Sequence, residues 1–268
     1  MRIALLAPIQ NSLYSRLVAE LAAREPGIEL AQIVVRTPWS WERIRGELRR
    51  DGARLVRKVT NKLVLGEAAY PVGDPETLPA LAERVGLEGK NLSDVARRHG
   101  IPLLTVTDPN EPVCEQVLKA VRPDVIVFTG GGLIRKNILS IPRLGVMNCH
   151  SAILPRFRGM DVVEWTILED ALQDPGLGLT LHFMDSGVDT GPLLARYRLD
   201  TRPGDTIASV RRRLEPHMVE LVMDGLRGLR DGTLTAQPQS AEDGRQYFVM
   251  HPRLVEATAR RMKTRTQP

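Results

Sequence analysis

The sequence predicts an α/β protein built on a doubly wound, mostly parallel sheet. Three observations carry this expectation. Short aliphatic runs of strand length ("RIALLA", "IELAQIVVR", "IPLLTV", "DVIVFT") recur along the first half of the chain. Segments with apolar residues three and four apart stand between them, the period of a helix with one buried face. Gly, Pro or a capping residue marks most of the junctions, and that alternation reads as repeated strand–helix units.

Residues 2–7 read as the first strand, 13–23 as a helix and 28–36 as a second strand. From Trp41 the apolar positions Ile44, Leu48, Leu55, Val59 and Leu63 form one helical stripe, and the opposite face is rich in arginine. Residues 64–90 show Gly, Pro and acidic residues without a clear period and read as a loop or insertion. "NLSDVARRHGIPLLTV" gives a helix capped near Asn91 or Ser93, a stop at Gly100 and a strand. "EPVCEQVLKAVRPDVIVFTGGG" repeats the unit, with its strand at residues 124–129. A short helix over 133–139 and a strand over 145–149 follow. "DVVEWTILEDAL" reads as helix, and "GLTLHFM" and "LLARYRL" as strands joined by "DSGVDTGP". Residues 205–230 are helical in pattern, with Pro216 expected to kink or divide them. A basic helix begins at Pro252. The expected organisation is a catalytic domain over 1–200, with a basic helical insertion at about 38–90, and a helical extension over 201–268 packed on it.

The bulk properties bound the function. The chain has 268 residues, only 4% aromatic, so its core is aliphatic. Cys114 and Cys149 match no zinc or redox spacing and suit a reducing compartment, so a cytoplasmic location is expected. No apolar run approaches the ~18 residues of a membrane span. The opening "MRIALLAPIQNS" is too short, and lacks the cleavage site, for a signal peptide. Net charge is +5, and residues 39–62 alone hold eight Lys or Arg against three Asp or Glu. That segment is either a solvated helix face or a surface for an anionic partner.

Three loops following predicted strands gather the polar residues. They are "GGGLIRK", "NCHSAILP" and "DSGVDTGP". In an open α/β sheet, ligands bind beyond the carboxyl ends of the strands. Asn148 and His150 stand two apart on one strand and so share a face. They are either satisfied core hydrogen-bonders or the rim of a site. Asp185 and Asp189 lie in the third loop, and one Asp turned towards a His is their most economical use. His182, in mid-strand, reads as structural. No G-x-G-x-x-G or Walker A loop is present, so a dinucleotide or nucleoside triphosphate site is unsupported. No histidine pair has ligand spacing, and no metal is expected.

These residues resemble the folate-dependent formyltransferases. "NCHSAILPRFRG" is similar to the family's N-x-H…L-P-x-x-x-G signature, and "LTLHFMDSGVDTGPLL" to its second signature. The likeness spans roughly residues 121–194, and "PQSAEDGRQYFVMHPR" also looks like the end of some members. The resemblance implies a Rossmann-like formyltransferase fold and three catalytic positions, Asn148, His150 and Asp189. It implies 10-formyltetrahydrofolate as donor, held largely through backbone by Gly130, Gly131, Gly132, Leu133 and Ile134 and by Asp185, Gly187 and Val188. His182 matches a position that shapes the site. A carboxylate beside His150 is expected to raise its pKa.

The acceptor expected is a small-molecule primary amine, with a nucleotide-linked amino sugar as the first candidate. "APIQNSLYS" lacks the glycine-rich phosphate loop of glycinamide ribonucleotide formyltransferases. The segment after residue 199 reads as helical, unlike the C-terminal β-barrel of methionyl-tRNA formyltransferases, so no nucleic-acid acceptor is expected. The alternatives are a formyltetrahydrofolate hydrolase and a non-catalytic binding module of the same fold. A homodimer is compatible with the sequence.

Overall fold

The computed structural model describes residues 1–37, 74–130 and 132–267. The basic segment 39–62 and the first part of the 64–90 insertion lie outside the described residues, as does Gly131. In chain order the strands are β1 (Arg2–Ala7), β2 (Glu29–Arg36), β3 (Leu103–Val106), β4 (Val125–Phe128), β5 (Gly145–His150), β6 (Phe157–Gly159), β7 (Leu177–Phe183), β8 (Leu193–Leu199) and β9 (Arg245–Tyr247). The helices are α1 (Leu13–Arg24), α2 (Leu78–Arg84), α3 (Leu92–His99), α4 (Pro112–Val121), α5 (Lys136–Leu139), α6 (Val162–Leu168), α7 (Ile207–Arg230) and α8 (Pro252–Arg265).

Seven strands form one sheet in the order β3-β2-β1-β4-β5-β7-β8. The first five are mutually parallel, and β7 and β8 are antiparallel to their neighbours. Alternation along β1 shows why both faces need cover. Ile3, Leu5 and Ala7 join one core cluster, and Ala4 and Leu6 the other. The first cluster takes Leu17 and Val18 from α1, Leu92 and Val95 from α3, and Val219, Val222 and Leu226 from α7. The second takes Cys114 and Leu118 from α4 and Ile138 from α5. Burying a side chain of this size contributes roughly 1.5–3 kcal/mol. The doubly wound architecture therefore follows from strands that are apolar on both faces.

Local signals set several ends. Asn91 caps α3 in a capping box with Asp94, and Gly100 closes the helix in the left-handed conformation at φ +64°. Thr206 and Ser209 do the same at the start of α7.

Four expectations need correction. Residues 78–84 are a helix, α2, capped by Thr77 and docked through Leu78 and Leu81. Its two buried leucines are too few to show a period. Pro216 does not divide α7, which runs through it as one helix of 24 residues. Packing of Leu214, Val219 and Val222 against the sheet outweighs the one backbone donor that proline lacks. Residues 231–251 are not helical in the main. They run extended, pair Gln237 with Leu193, and form β9 after a short 3₁₀ turn. Finally, β7 is antiparallel to β5 with Met147 opposite Phe183, so its carboxyl end lies beside the start of β5. The third loop therefore does not sit at the carboxyl ends of the parallel strands.

The second sheet is small. β6 pairs in parallel with β9, and a cluster of Ala152, Phe157, Val162, Ala171 and Tyr247 packs around it. Phe157 and Tyr247 stack at 5.3 Å between ring centroids. Among the described residues no helix is long and apolar enough to cross a membrane.

Candidate active site

Asn148 and His150 project from the face of β5 that also carries Val146, the face covered by α4 and α5. The β5–β7 register sets His182 directly opposite Asn148, on that same face. The backbone of β6 lies against them, with the Phe157 carbonyl 2.9 Å from His150 Nε2. His182 is fully buried and His150 nearly so.

Asp189 reaches them from the β7–β8 loop. That loop starts beside Val146, where the Met184 N–H donates to the Val146 carbonyl. It then doubles back over the sheet face. Asp189 Oδ2 lies 3.5 Å from His150 Nδ1, and Oδ1 lies 3.5 Å from His182 Nε2. The Gly159 N–H of β6 donates to Asp189 Oδ2 at 2.9 Å. An amide, two imidazoles and a carboxylate thus meet at one place.

The hydrogen bonds fix the tautomers. His150 Nε2 is 2.9 Å from the Phe157 carbonyl, which can only accept, so Nε2 carries a proton and Nδ1 faces Asp189. His182 Nδ1 donates in the same way to the Phe183 carbonyl at 2.9 Å. A neutral His182 then presents its Nε2 lone pair to Asn148, whose Nδ2 lies 3.2 Å away. One amide hydrogen of Asn148 is used there, and the second remains for a ligand.

The electrostatics differ from expectation. The His150 pKa is lowered from its ordinary 6.5. Burial is the largest cause, and it outweighs the opposing effects of Asp189 and the Phe157 carbonyl; His182 adds to the lowering. The imidazole is therefore neutral at neutral pH. For Asp189, burial pushes the carboxyl upward. The close approach of His182, the positive charge that His150 takes on in acid and the Gly159 N–H together outweigh it and hold the group below 3.8. Cys149, between Asn148 and His150, points to the opposite face into the main core, and burial pushes its thiol well up. It is not a nucleophile.

The residues expected to hold a pteridine behave as follows. Gly130 and Gly132 adopt φ +108° and +118°, open to glycine, and the Cβ position of Gly130 has nothing closer than Pro8 at 4.0 Å. Leu133 and Val188 are exposed apolar side chains, at 68% and 36%. Ile134 is buried in the core, so only its backbone can face a ligand. The Asp185 carboxylate is engaged within its own turn by the Gly187 N–H and the Thr190 hydroxyl. Among the described residues no cluster of three or more His, Cys, Asp or Glu could hold a metal ion.

The motifs did not reveal the Phe157 carbonyl or the Gly159 N–H, and they gave His182 only as a position that shapes the site, without its partners. The strand register opposite Asn148 is the signal for His182, and it is visible only once β5 and β7 are paired.

The chain is a doubly wound α/β protein with an amide–imidazole–carboxylate cluster on one face of its seven-stranded sheet, and comparison with known proteins gives its family. Residues 81–225 match the family model described as Formyl transferase, more than half of the chain. The chain belongs to the formyltransferase family. It is 35% identical over 152 residues to a methionyl-tRNA formyltransferase of Myxococcus xanthus, covering 56% of this chain and 48% of that protein. It is similarly 35% identical over 155 residues to that of Halorhodospira halophila, covering 57% and 48%. The chain spans about half the length of the curated relatives it matches. In fold it is similar to a crystal structure of glycinamide ribonucleotide transformylase 1 from Symbiobacterium toebii, with a TM-score of 0.55 and 18% identity over 90% of this chain and 94% of that one. A sugar N-formyltransferase from a Shewanella species has the same TM-score at 13% identity, covering 98% and 87%.

Proposed function

We propose that this chain transfers the formyl group of 10-formyltetrahydrofolate to a primary amine. The observation that carries the proposal is the clustering of Asn148, His150 and Asp189 around His182 and the β6 backbone, within a member of this family. Asn148 is suited to hold the carbonyl oxygen as negative charge gathers there, because its amide cannot lose its proton and keeps one hydrogen free. His150, neutral at rest, serves as a base rather than an acid. Its Nδ1 takes the proton from the attacking amine, directly or through one water, as the new carbon–nitrogen bond forms. Asp189 then faces an imidazolium at 3.5 Å and stabilises it. His150 returns that proton to the folate nitrogen as the old carbon–nitrogen bond breaks, so no proton or charge is left over. The open turn at Gly130 and Gly132, with the exposed Leu133 and Val188, would hold the pteridine through backbone groups and apolar contact.

The acceptor to test first is a nucleotide-linked amino sugar, the first candidate named from the sequence. The test is formation of tetrahydrofolate from 10-formyltetrahydrofolate, followed with amino-sugar nucleotides, with methionyl-tRNA, and with no acceptor. Amine-dependent transfer supports the proposal and identifies the acceptor. Formate release without any amine would make the protein a hydrolase, and no turnover in any arm would make it a binding module.

A further inference from the structure

We propose that Gln239 is a positioning residue for Asp189: its side-chain amide holds the backbone of the Asp189 turn so that the carboxylate stays between His150 and His182. The proposal rests on the formyl-transfer reading of that site.

Asp189 is in the left-handed conformation, at φ +54°. The left-handed region is uncommon for a residue with a Cβ, even for Asp, so contacts around the turn must hold it there. Its carboxylate faces the two histidines, while its carbonyl is taken by Gln239. Gln239 Nε2 donates to the Asp189 carbonyl at 3.0 Å and to the Gly191 carbonyl at 2.6 Å. Both partners can only accept, so the amide group must turn its nitrogen towards them. Both amide hydrogens are spent on two residues of one turn. The remaining atom, Oε1, is buried and has no hydrogen-bond partner among the described residues. A buried acceptor left unpaired is costly, and a side chain present only to fill space would be better apolar.

The backbone delivers Gln239 to this place. Two residues earlier, Gln237 exchanges both backbone hydrogen bonds with Leu193 at 2.7 Å, which sets the extended segment against the start of β8. Gly191 permits the approach of the turn to the sheet, since a Cβ there would lie 2.0 Å from the Phe183 carbonyl. Arg158 adds a second tie, reaching the Val188 carbonyl at 3.5 Å and the Gly244 carbonyl at 3.3 Å.

The test uses Gln239→Met, which keeps length without donors, and Gln239→Glu, which keeps shape and loses both donors when ionised. Each is made in the wild-type and in the Asp189→Ala background. In the wild type we expect kcat to fall about 10–100-fold with KM for the folate little changed, as for a slightly misplaced reacting group. In the Asp189→Ala background the same change should cost almost nothing further. Titration of labelled histidine by NMR gives a readout independent of turnover. The groups facing His150 are Asp189 and His182, so loss of the carboxylate moves the His150 midpoint about one pH unit lower. Gln239→Met and Gln239→Glu should each move it towards the value of Asp189→Ala. Equal losses in both backgrounds, or a His150 midpoint at the wild-type value in both folded variants, overturns the proposal. If the wild-type protein transfers no formyl group, the functional reading fails and the titration alone decides the role of Gln239.

Discussion

His150 and Asp189 face each other at 3.5 Å, nitrogen to carboxylate oxygen, while the far nitrogen of the same ring is committed to the Phe157 carbonyl. The ring can neither rotate away nor exchange its tautomer without losing a buried hydrogen bond. Its protonation state is therefore the one variable left, and burial sets that state to neutral at rest.

Removal of the cluster's groups should abolish most of the activity. Asn148→Ala, His150→Ala and Asp189→Ala are each expected to lower kcat by about 10²–10³, the usual cost of one such group. Far-ultraviolet circular dichroism should show an intact fold. A variant with near-wild-type turnover would remove its residue from the reaction.

Acid should affect activity and stability in the same direction. On the proposed role of neutral His150 as the base, kcat/KM is expected to hold at neutral pH and to fall on the acid side, below 6.5. A lowered histidine pKa means that the unfolded chain binds a proton which the folded chain refuses. The associated stability is present above 6.5 and is lost as pH falls towards the folded value. Asp189 contributes stability above 3.8 that is lost as pH falls through its own lowered value. Urea midpoints measured from pH 7.5 to 5 should drop less steeply for His150→Gln than for wild type.

His182→Phe should separate the orientation of Asn148 from its presence. The variant keeps the ring volume but removes the acceptor for the Asn148 amide and strands the Phe183 carbonyl. The expected stability loss is about 1–3 kcal/mol, from one unpaired buried group. We expect turnover to fall by about 10-fold or more, because a reacting group out of place by an ångström loses that much. Thermal melting and single-turnover assays would measure the two effects separately.

Gly159 carries two loads. At φ +98° it occupies a region that suits glycine, and a Cβ there would stand 2.2 Å from the Tyr247 carbonyl. Gly159→Ala should therefore force β6 and β9 apart and draw the Gly159 N–H from Asp189. Loss of activity at a temperature where the variant is still folded, beyond any fall in melting temperature, is the expected result. Full activity in a destabilised protein would contradict it.

The parallel core was legible because its strands are continuous aliphatic runs, and Asn91 and Gly100 bracket their helix by side-chain chemistry that acts locally. The small sheet was not. "FRG" and "RQY" are three residues each, too short to show alternation, and their pairing joins segments far apart in the chain. In the site, Asn148 and His150 could be read from their spacing. His182 read on its own as structural and was marked as shaping the site only through the family resemblance, because a histidine in mid-strand gains its meaning from what stands opposite. Asp189 was found in sequence, but not its route to the cluster, since the reversal of β7 is a property of the sheet. Gln239 sits in a polar stretch with no period at all.

The pairing of β6 with β9 also limits how this chain can be recombined. A hybrid made by joining residues 1–230 to the remainder of another family member would keep every strand of the main sheet and each proposed catalytic side chain. It would nevertheless inherit a foreign edge against Gly159 and Phe157, the two backbone groups that hold the carboxylate and the imidazole. Successful exchanges should move residues 157–159 and 237–247 as one unit, although nearly eighty positions lie between them.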